Sequence, residues 1–265
     1  MFPVEKRTIQ TGKKIYFASD FHLGIDGELS SREREIKIVQ WLEVIKQDAT
    51  ILFLLGDQFD FWFEYKKVVP KGYVRLLGKL AELQDNGIEI ILFTGNHDMW
   101  MFTYLQEEIG VKLFKTPVIF HIDQTVFFIG HGDGLGPGDT GYKLLKKILH
   151  HPVCQWLFAR IHPNTGISLM QFFSGKSRLT NTNDSWNEKN EWLLLFSTDF
   201  LRSHHIDYFV FGHRHLVVDY VLQNKESRYI NLGDWFHYFT YAVFDGNNMQ
   251  LKVDSEKKIE IISNQ

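Results

Sequence analysis

The feature that most constrains the fold is a series of apolar runs, several of which end in a short polar motif. In the first half of the chain, short apolar runs alternate with longer amphipathic runs that have the helical period. Apolar runs without polar alternation are typical of strands that are buried on both faces of a parallel sheet. The pattern therefore predicts a βαβαβ arrangement in which helices cover the sheet. The runs are KIYFAS, SREREIKIVQWLEVIKQ, ATILFLLG, VRLLGKLAELQDNG and IEIILFTG.

The second half predicts more strands and one long helical segment. A turn at Asp123-Gln124 separates the first two of these strands, and the last strands predict a largely antiparallel tail. Residues 138–203 are predicted to be helical, with breaks at Pro152 and at Pro163-Asn164. We expect a single domain over residues 1–265, with the 138–203 segment inserted as a helical lid. The predicted strands are TPVIFHI, TVFFIG, IDYFVFG, HLVVDYVLQ, SRYINLG and YFTYAVFDG.

Five polar motifs stand at the ends of predicted strands. In an open α/β sheet, ligands bind at the carboxyl ends of the strands, so we expect these motifs to meet at one edge of the sheet. Any one motif alone is explained by a glycine-rich turn or a polar loop, whereas five at strand ends favour a common site. The motifs are SDFHLG at 19–24, GDQFD at 56–60, GNHD at 95–98, GHGD at 130–133 and GHRH at 212–215.

The residue types in these motifs indicate a metal site. Asp20 and His22 are two residues apart, so in an extended segment both side chains face the same way and can bind one cation. His213 and His215 have the same spacing. Imidazole and carboxylate ligands together suit Mn, Fe, Zn or Co. Because at least six ligands are available, we expect two cations about 3.5 to 4 Å apart, with Asp57 as the shared ligand.

The other histidines are interpreted as surface, turn or packing residues rather than ligands. They are His121, His150, His151, His162, His204, His205 and His237.

Composition excludes several classes of protein. With 29 basic and 32 acidic residues the chain has no overall charge that would attract nucleic acid. The single cysteine, Cys154, forms no disulfide within the chain. The N-terminal residues run into charge and do not resemble a signal peptide, and no run approaches the ~18 to 20 apolar residues of a membrane span. We therefore expect a cytoplasmic protein, with at most a peripheral contact to a membrane surface and no inferred protein partner.

The ordered motifs D-x-H, G-D-x-x-D, G-N-H-D, G-H-G-D and G-H-R-H resemble the signature of the calcineurin-like metallophosphoesterases over almost the whole chain. The resemblance implies an α/β fold, a two-sheet sandwich flanked by helices. It also implies a ligand set for each of two divalent metal ions. One ion would be held by Asp20, His22, Asp57 and His215. The other would be held by Asp57, Asn96, His131 and His213.

Within that superfamily the chain is similar to the UDP-2,3-diacylglucosamine hydrolases of lipid A biosynthesis. The similarity lies in HGDGLGPGDTGYKLLKKI, in HPVCQWLFARI and in INLGDWFHYFTYAVFDG. It implies cleavage of a pyrophosphate to UMP and a lipid monophosphate, and it makes Asn96, His97, Asp139 and Tyr142 candidate substrate contacts. One position departs from the pattern, because His97 stands where those hydrolases usually have arginine.

Catalysis is assigned to Asp57, as the metal bridge, and to His97, as a proton donor or phosphoryl contact. Asp98 is expected to fix the tautomer of His97. Asp60 and Asp133 are expected to orient ligating histidines or backbone amides.

The helical segment leaves two interpretations open: a cap packed on the core, or an acyl-chain groove or membrane contact with flanking cations. A third alternative is a metal-binding scaffold without turnover, which the complete ligand set and His97 disfavour. The apolar series is Leu144, Leu145, Ile148, Val153, Trp156, Leu157, Phe158, Ile161, Leu169, Met170, Phe172 and Phe173. The interspersed cations are Lys143, Lys146, Lys147, Arg160, Lys176 and Arg178.

Overall fold

The computed structural model describes residues 2–138, 140–180, 186–254 and 259–264, and the side chains of 175–180 are left out of the description. The described part forms two sheets with helices on the outer faces. The strands are β1 Val4–Arg7, β2 Lys14–Ala18, β3 Ala49–Leu55, β4 Glu89–Phe93, β5 Lys112–Phe114, β6 Val118–Ile122, β7 Thr125–Ile129, β8 Tyr208–Phe211, β9 Val217–Val221, β10 Arg228–Leu232, β11 Thr240–Phe244, β12 Met249–Val253 and β13 Ile262–Ser263. The helices are α1 Ser31–Ile45, α2 Val74–Asp85, α3 Tyr104–Ile109, α4 Thr140–His150, α5 Pro152–Phe158, α6 Pro163–Thr180 and α7 Trp192–Phe200.

The strands are divided between two sheets, which confirms the two-sheet sandwich that the resemblance implied. The six-stranded sheet has the order β12-β11-β2-β3-β4-β5, and the seven-stranded sheet has the order β1-β6-β7-β8-β10-β9-β13. The predicted βαβαβ unit is confirmed, since β2, β3 and β4 are parallel neighbours. The expectation of a single sheet edge is wrong, because β7 and β8 belong to the other sheet. The polar motifs meet where the ends of both sheets come together.

Alternate residues of the central strands build two cores. In β3, Ile51, Phe53 and Leu55 pack between the two sheets, while Leu52 and Leu54 face α1 and α2. This burial on both faces explains the uninterrupted apolar sequence of the strand. A third core lies on the outer face of the seven-stranded sheet, where α7 packs on strand residues.

The predicted tail is only partly antiparallel. Hairpin pairing is antiparallel between β9 and β10 and between β11 and β12, as expected. However, β8 is parallel to both of its neighbours, β7 and β10. The hairpin at Asp123 is confirmed: β6 and β7 pair antiparallel, and Asp123 has a left-handed backbone.

The segment predicted to be helical contains α4 to α7, and its two prolines begin helices. Pro152 and Pro163 are the first residues of α5 and α6, where the missing N–H of proline costs no helical hydrogen bond. We use "lid" for α4–α6 only, since α7 packs on the sheet. One attachment of the lid to the rest of the protein is Phe158, which packs against Phe61, Phe63 and Trp100.

A buried arginine ties α1 to the loop that follows β2. Arg34 is completely buried, and its guanidinium donates to the carbonyl oxygens of Phe21, His22, Ile25 and Leu29 at 2.6 to 3.1 Å. A planar fork of donors suits four converging acceptors in a way that an ammonium group does not. The shape of the loop that carries Asp20 and His22 therefore depends on this side chain.

Replacing Arg34 with methionine should lower the free energy of unfolding by about 3 kcal/mol or more, because it leaves several buried carbonyl groups without a donor. Urea denaturation measures the loss. Arg32→Met is the matched control, since Arg32 lies on the same helix and is exposed. Equal losses in the two variants would contradict a special role for Arg34.

Candidate metal centre

Five of the seven predicted metal ligands have a left-handed backbone. The φ angle is 56° at Asp20, 44° at His22 and 54° at Asp57, and it is 68° and 51° at His213 and His215. This conformation is costly for residues with a side chain and persists only where the surroundings enforce it. The expectation that Asp20 and His22 lie in an extended segment is wrong, because the strand before them ends at Ala18. Loop geometry brings their side chains together.

The first group of ligands consists of Asp20, His22 and His215. The Nε2 atoms of His22 and His215 are 3.2 Å apart, and Asp20 Oδ1 lies 3.3 Å from His215 Nε2. Two atoms that bind one tetrahedral cation at 2.0–2.1 Å lie about 3.3 Å from each other. Asp20 Oδ1 is buried and accepts no hydrogen bond from the described residues. The spacing and this unsatisfied oxygen both fit a cation.

The second group consists of Asp57, His131 and His213, with Asn96 beside it. His131 Nε2 lies 3.3 Å from Asp57 Oδ2 and 3.1 Å from Asn96 Oδ1. The same Asp57 oxygen is 3.9 Å from His22 Nε2 in the first group. One carboxylate oxygen thus faces both groups, which is the geometry expected of a shared ligand.

Hydrogen bonds fix the orientation of two of these rings. Nδ1 of His131 donates to the Leu55 carbonyl at 2.7 Å, and Nδ1 of His215 donates to Asp234 Oδ2 at 2.9 Å. In the neutral rings this leaves each Nε2 as the acceptor that binds a metal. Sequence reasoning missed Asp234. The available signal was its place after strand β10 in INLGD, which repeats the strand-then-Asp pattern of Asp57.

Gly95 and Gly212 leave room for the carboxylates of Asp57 and Asp20, respectively, to lie against the backbone. A Cβ at Gly95 would stand 2.1 Å from Asp57 Oδ1, and one at Gly212 would stand 2.4 Å from Asp20 Oδ2. Backbone amides one or two residues after each glycine contact these oxygens, since His97 N–H donates to Asp57 Oδ1 and His213 N–H donates to Asp20 Oδ2. The glycines of GNHD and GHRH are therefore required by packing against the ligands.

In the metal centre, burial and the charges of neighbouring residues shift the pKa values of the ligands in opposite directions. Burial alone would raise the pKa of Asp57, but His131 and His97 hold it well below its usual value. Conversely, burial would lower the pKa of His131 and His215, but Asp57 and Asp20 respectively raise them to about 10. Burial and the His131 charge lower the pKa of His213 to about 4. Cation binding would replace protons on such rings, so it is coupled to proton release.

His97 stands beside the first group, with its ring perpendicular to that of His22 at 4.9 Å. Its Nδ1 lies 3.1 Å from the Asp60 carbonyl oxygen and 3.1 Å from Ser174 Oγ on the lid helix α6. Ser174 also donates to Asp60 Oδ1 at 3.0 Å. A lid residue therefore contacts the predicted catalytic histidine, and no sequence signal marked it.

Asp98 does not perform the expected role of fixing the His97 tautomer. Its carboxylate accepts backbone N–H groups of Gly95 at 2.7 Å and Gln58 at 2.8 Å. Burial, followed by the charge of Asp57, raises the pKa of Asp98 to about 7. Asp98 ties the GNHD loop to the GDQFD loop, and the Asp60 backbone carbonyl contacts the His97 ring instead.

Asp133 contacts the lid. Its Oδ2 accepts the Tyr142 hydroxyl at 2.5 Å and pairs with Lys146 Nζ at 2.6 Å. Burial would raise its pKa, but the charges of His131 and Lys146 lower it. Tyr142, expected to contact substrate, therefore donates to Asp133 here. Asp139, the other residue of that predicted pair, lies outside the described residues.

The lid exposes a large apolar surface. Within the described part of the chain, nine of the sixteen exposed large apolar side chains belong to α4–α6, at 43% to 68% exposure. Phe158, Ile161 and Met170 pack inward instead. A cap packed wholly on the core therefore does not describe the lid. The exposed side chains are Leu144, Leu145, Ile148, Val153, Trp156, Leu157, Leu169, Phe172 and Phe173.

The predicted lid cations are already engaged in part. Lys146 pairs with Asp133, Lys143 donates to the Gly136 carbonyl, and Arg160 lies over the Trp156 ring at 4.4 Å. The side chains of Lys176 and Arg178 lie outside the described residues. Among the residues that the structure describes, no helix combines the length and apolar character needed to cross a membrane.

Comparison with known proteins identifies the class. The family model described as calcineurin-like phosphoesterase matches residues 13–217. The chain therefore belongs to the calcineurin-like phosphoesterase family, and it is a hydrolase. The family, together with the clusters of histidine and aspartate, indicates binding of divalent metal.

Two named relatives and one solved structure are similar to this chain. The chain is 38% identical to a protein of Porphyromonas gingivalis named UDP-2,3-diacylglucosamine hydrolase, over 90% of this chain and 97% of that protein. It is 26% identical to a protein of the same name from Aeromonas salmonicida, over 89% and 91%. A solved structure of Yfce, a phosphoesterase from E. coli, aligns with a TM-score of 0.43 at 15% identity, over 89% of this chain and 90% of that one.

Asp57→Asn should abolish phosphoesterase activity and lower the metal content of both groups, because it removes the negative charge that faces both of them. Metal analysis and turnover measure the two effects. Asp123→Asn is the control, since Asp123 has a similar φ of 52° in a distant hairpin. Two ions per chain and intact activity in Asp57→Asn would exclude a shared ligand.

His97→Ala should keep the metal content while the rate falls by about 10²-fold or more, the usual effect of losing a positioned proton donor. His121→Ala, on the distant strand β6, is the control and should change neither quantity. Loss of metal in proportion to activity would instead make His97 a ligand.

Proposed function

We propose that this chain is a dinuclear metal-dependent phosphohydrolase that cleaves the pyrophosphate bond of UDP-2,3-diacylglucosamine, giving UMP and lipid X in lipid A biosynthesis. The observation that carries the proposal is Asp57 Oδ2, which faces His131 in one ligand group and His22 in the other. A carboxylate oxygen between two such groups is what a pair of cations requires. One ion is assigned to Asp20, His22, Asp57 and His215. The other is assigned to Asp57, Asn96, His131 and His213.

When bound, two cations would supply Lewis-acid charge for the phosphoryl oxygens and would lower the pKa of water enough to give a nucleophile near neutral pH. The residues of the chain do the rest. His97 in its doubly protonated form keeps Nδ1 on the Asp60 carbonyl and gives the proton of its other nitrogen to the leaving oxygen, after which the ring is neutral. Water adds to phosphorus as the bond to the leaving phosphate breaks, so no covalent enzyme intermediate is needed.

The substrate assignment rests on the names of the relatives and on the exposed apolar surface of the lid. Burying apolar chain contributes roughly 0.8 kcal/mol per methylene, so acyl chains against this surface would dominate affinity. Tyr142 and Asn96 contact the sugar or phosphate in this proposal, as Asp139 does. Imidazole at His97 takes the place of a guanidinium at one phosphoryl contact, with fewer donors.

The metals are assigned as Mn, with Fe, Zn or Co able to use the same nitrogen and oxygen ligands. The protein is proposed to be cytoplasmic and to contact the cytoplasmic face of the inner membrane through its lid. An apolar helical surface with cations at its border is suited to the boundary between headgroups and acyl chains. No nucleic-acid or protein partner enters the proposal.

A second candidate is a phosphoesterase that acts on another phosphodiester or nucleotide, and a third is a metal-binding scaffold without turnover. Histidine at position 97, where the UDP-2,3-diacylglucosamine hydrolases usually have arginine, is the feature that favours the second candidate. Turnover of a generic phosphodiester with added Mn separates an enzyme from the scaffold.

With Mn present, the purified protein should release UMP from UDP-2,3-diacylglucosamine and not from UDP-N-acetylglucosamine, because only the first offers acyl chains to the lid. Chromatographic detection of UMP measures both reactions. Equal rates on the two substrates would contradict the lipid assignment. So would phosphate release from simple monoesters with no UMP from the lipid substrate.

The lid itself can be tested in the same assay. Changing Trp156 and Phe172 to serine should raise the KM for the diacylated substrate by about tenfold or more, since each large side chain contributes about 1.5–3 kcal/mol when buried. Val74→Ser changes an exposed apolar residue outside the lid and is the control.

A further inference from the structure

His213 is held in the metal centre in a different way from two of the other histidine ligands. The rings of His131 and His215 are oriented by hydrogen bonds at Nδ1, to a carbonyl oxygen and to a carboxylate respectively. Among the residues that the structure describes, none makes a hydrogen bond to the His213 ring. Its neighbours are aromatic rings instead, with centroids at 5.0 Å for His131 and 6.4 Å for Trp192. The orientation of this ligand therefore depends on packing.

The Trp192 ring is itself held by a buried ion pair. The guanidinium of Arg214 lies over the ring at 4.0 Å, the arrangement of a cation–π contact. Nε of Arg214 donates to both carboxylate oxygens of Glu191 at 3.1 and 3.2 Å, and both side chains are buried. The Tyr229 hydroxyl adds a contact to Glu191 at 3.4 Å. Because separating two buried charges is costly, the guanidinium has a fixed place and so does the ring beneath it.

Both histidine loops of the second ligand group pack against the start of α7, where Trp192 is the first residue. Gly136 follows the GHGD motif of His131, and a Cβ there would stand 2.4 Å from the Trp192 carbonyl oxygen and 3.2 Å from its Cβ. Arg214 directly follows His213 in the GHRH motif. The start of α7 is thus tied to the loops of both histidines that belong to the second group.

We propose that Trp192 is a positioning residue of the metal centre: held by the Arg214–Glu191 pair, its ring orients His213 as a ligand of the second ion. This inference rests on the proposed function, since it concerns one of the two ions assigned there. A ligating histidine is ordinarily oriented by a hydrogen bond at its other nitrogen, and losing that support weakens metal binding by about 10- to 100-fold. Edge-to-face packing supplies the orientation for His213. The effect is confined to the second ion, because His215 of the first group has its own hydrogen bond.

The test is a calorimetric titration of Mn²⁺ into the metal-free full chain. Trp192→Leu should weaken the binding of one of the two ions by about tenfold or more and leave the other unchanged. A double-mutant cycle identifies the ion. Trp192→Leu should add little loss to His213→Ala, where the ligand is already absent, and should add its full loss to His215→Ala. Equal weakening of both ions, no weakening of either, or a full further loss in His213→Ala would overturn the proposal.

The ion pair is tested with the double variant Arg214→Met/Glu191→Gln, which removes the pair without leaving either of its two charges unpaired. It should reproduce the selective loss of one ion. Arg228→Met/Asp219→Asn is the matched control, because Arg228 also pairs with a carboxylate and lies over a tyrosine ring, at the start of β10. It should leave Mn²⁺ binding unchanged. If the Arg214 variant does not fold, the cycle with Trp192→Leu decides alone, and a selective loss in the control would overturn the proposal.

The metal titration separates this role from the proposed reaction, because it needs no turnover. If Trp192→Leu weakens one ion selectively while the native chain does not cleave UDP-2,3-diacylglucosamine, the positioning role stands and the substrate assignment is wrong. If the native chain cleaves that substrate while Trp192→Leu leaves both ions unchanged, the positioning role alone fails.

Discussion

The rest of the structure depends on the burial of carboxylates and imidazoles within a few ångströms of one another. Asp20, Asp57 and Asp60 are each almost completely buried, and unpaired negative charge in such a place is expensive. Two imidazole rings offset part of this cost in the absence of cations, as the raised pKa values of His131 and His215 indicate. Bound cations would offset it with less dependence on pH. The centre is thus built to be completed by metal, and its folding and its chemistry share one electrostatic origin.

The ligand residues are held close together in strained backbone conformations. Left-handed residues such as His22 and His215 are held by hydrogen bonds from outside their own loops: Arg34 fixes the carbonyl of His22, and Asp234 fixes the ring of His215. Strain of about 1–3 kcal/mol at each such residue requires a rigid surrounding. The two-sheet sandwich provides it, because strand ends from both sheets deliver the ligands and neither sheet can slide without breaking the centre.

The sequence predicts those features of the structure that short local patterns determine. Apolar strands such as β3 and the positions of seven candidate ligands follow from motifs a few residues long. What it did not reveal depends on contacts between distant segments. Packing between parts of the chain far apart in sequence sets the placement of β7 and β8 in the second sheet, the left-handed loop at Asp20, the lid contact of Ser174 and the carboxylate contact of Asp234. The edge strands β1, β5 and β13 are too short for a hydrophobic period to be recognised in the sequence.

The lid is connected to the buried charges of the metal centre. Phe158 anchors α5 in an aromatic cluster, while Asp133, which lies next to the ligand loop of His131, accepts from Tyr142 and Lys146 of α4. Ser174 of α6 reaches His97. The three lid helices are therefore held by an apolar cluster around Phe158 and by polar contacts that include those to Asp133 and His97, and nine large apolar side chains of the lid stay exposed. Asp133 therefore connects α4 to the loop that carries His131, and the charges of His131 and Lys146 both lower the pKa of its carboxyl group against the effect of burial.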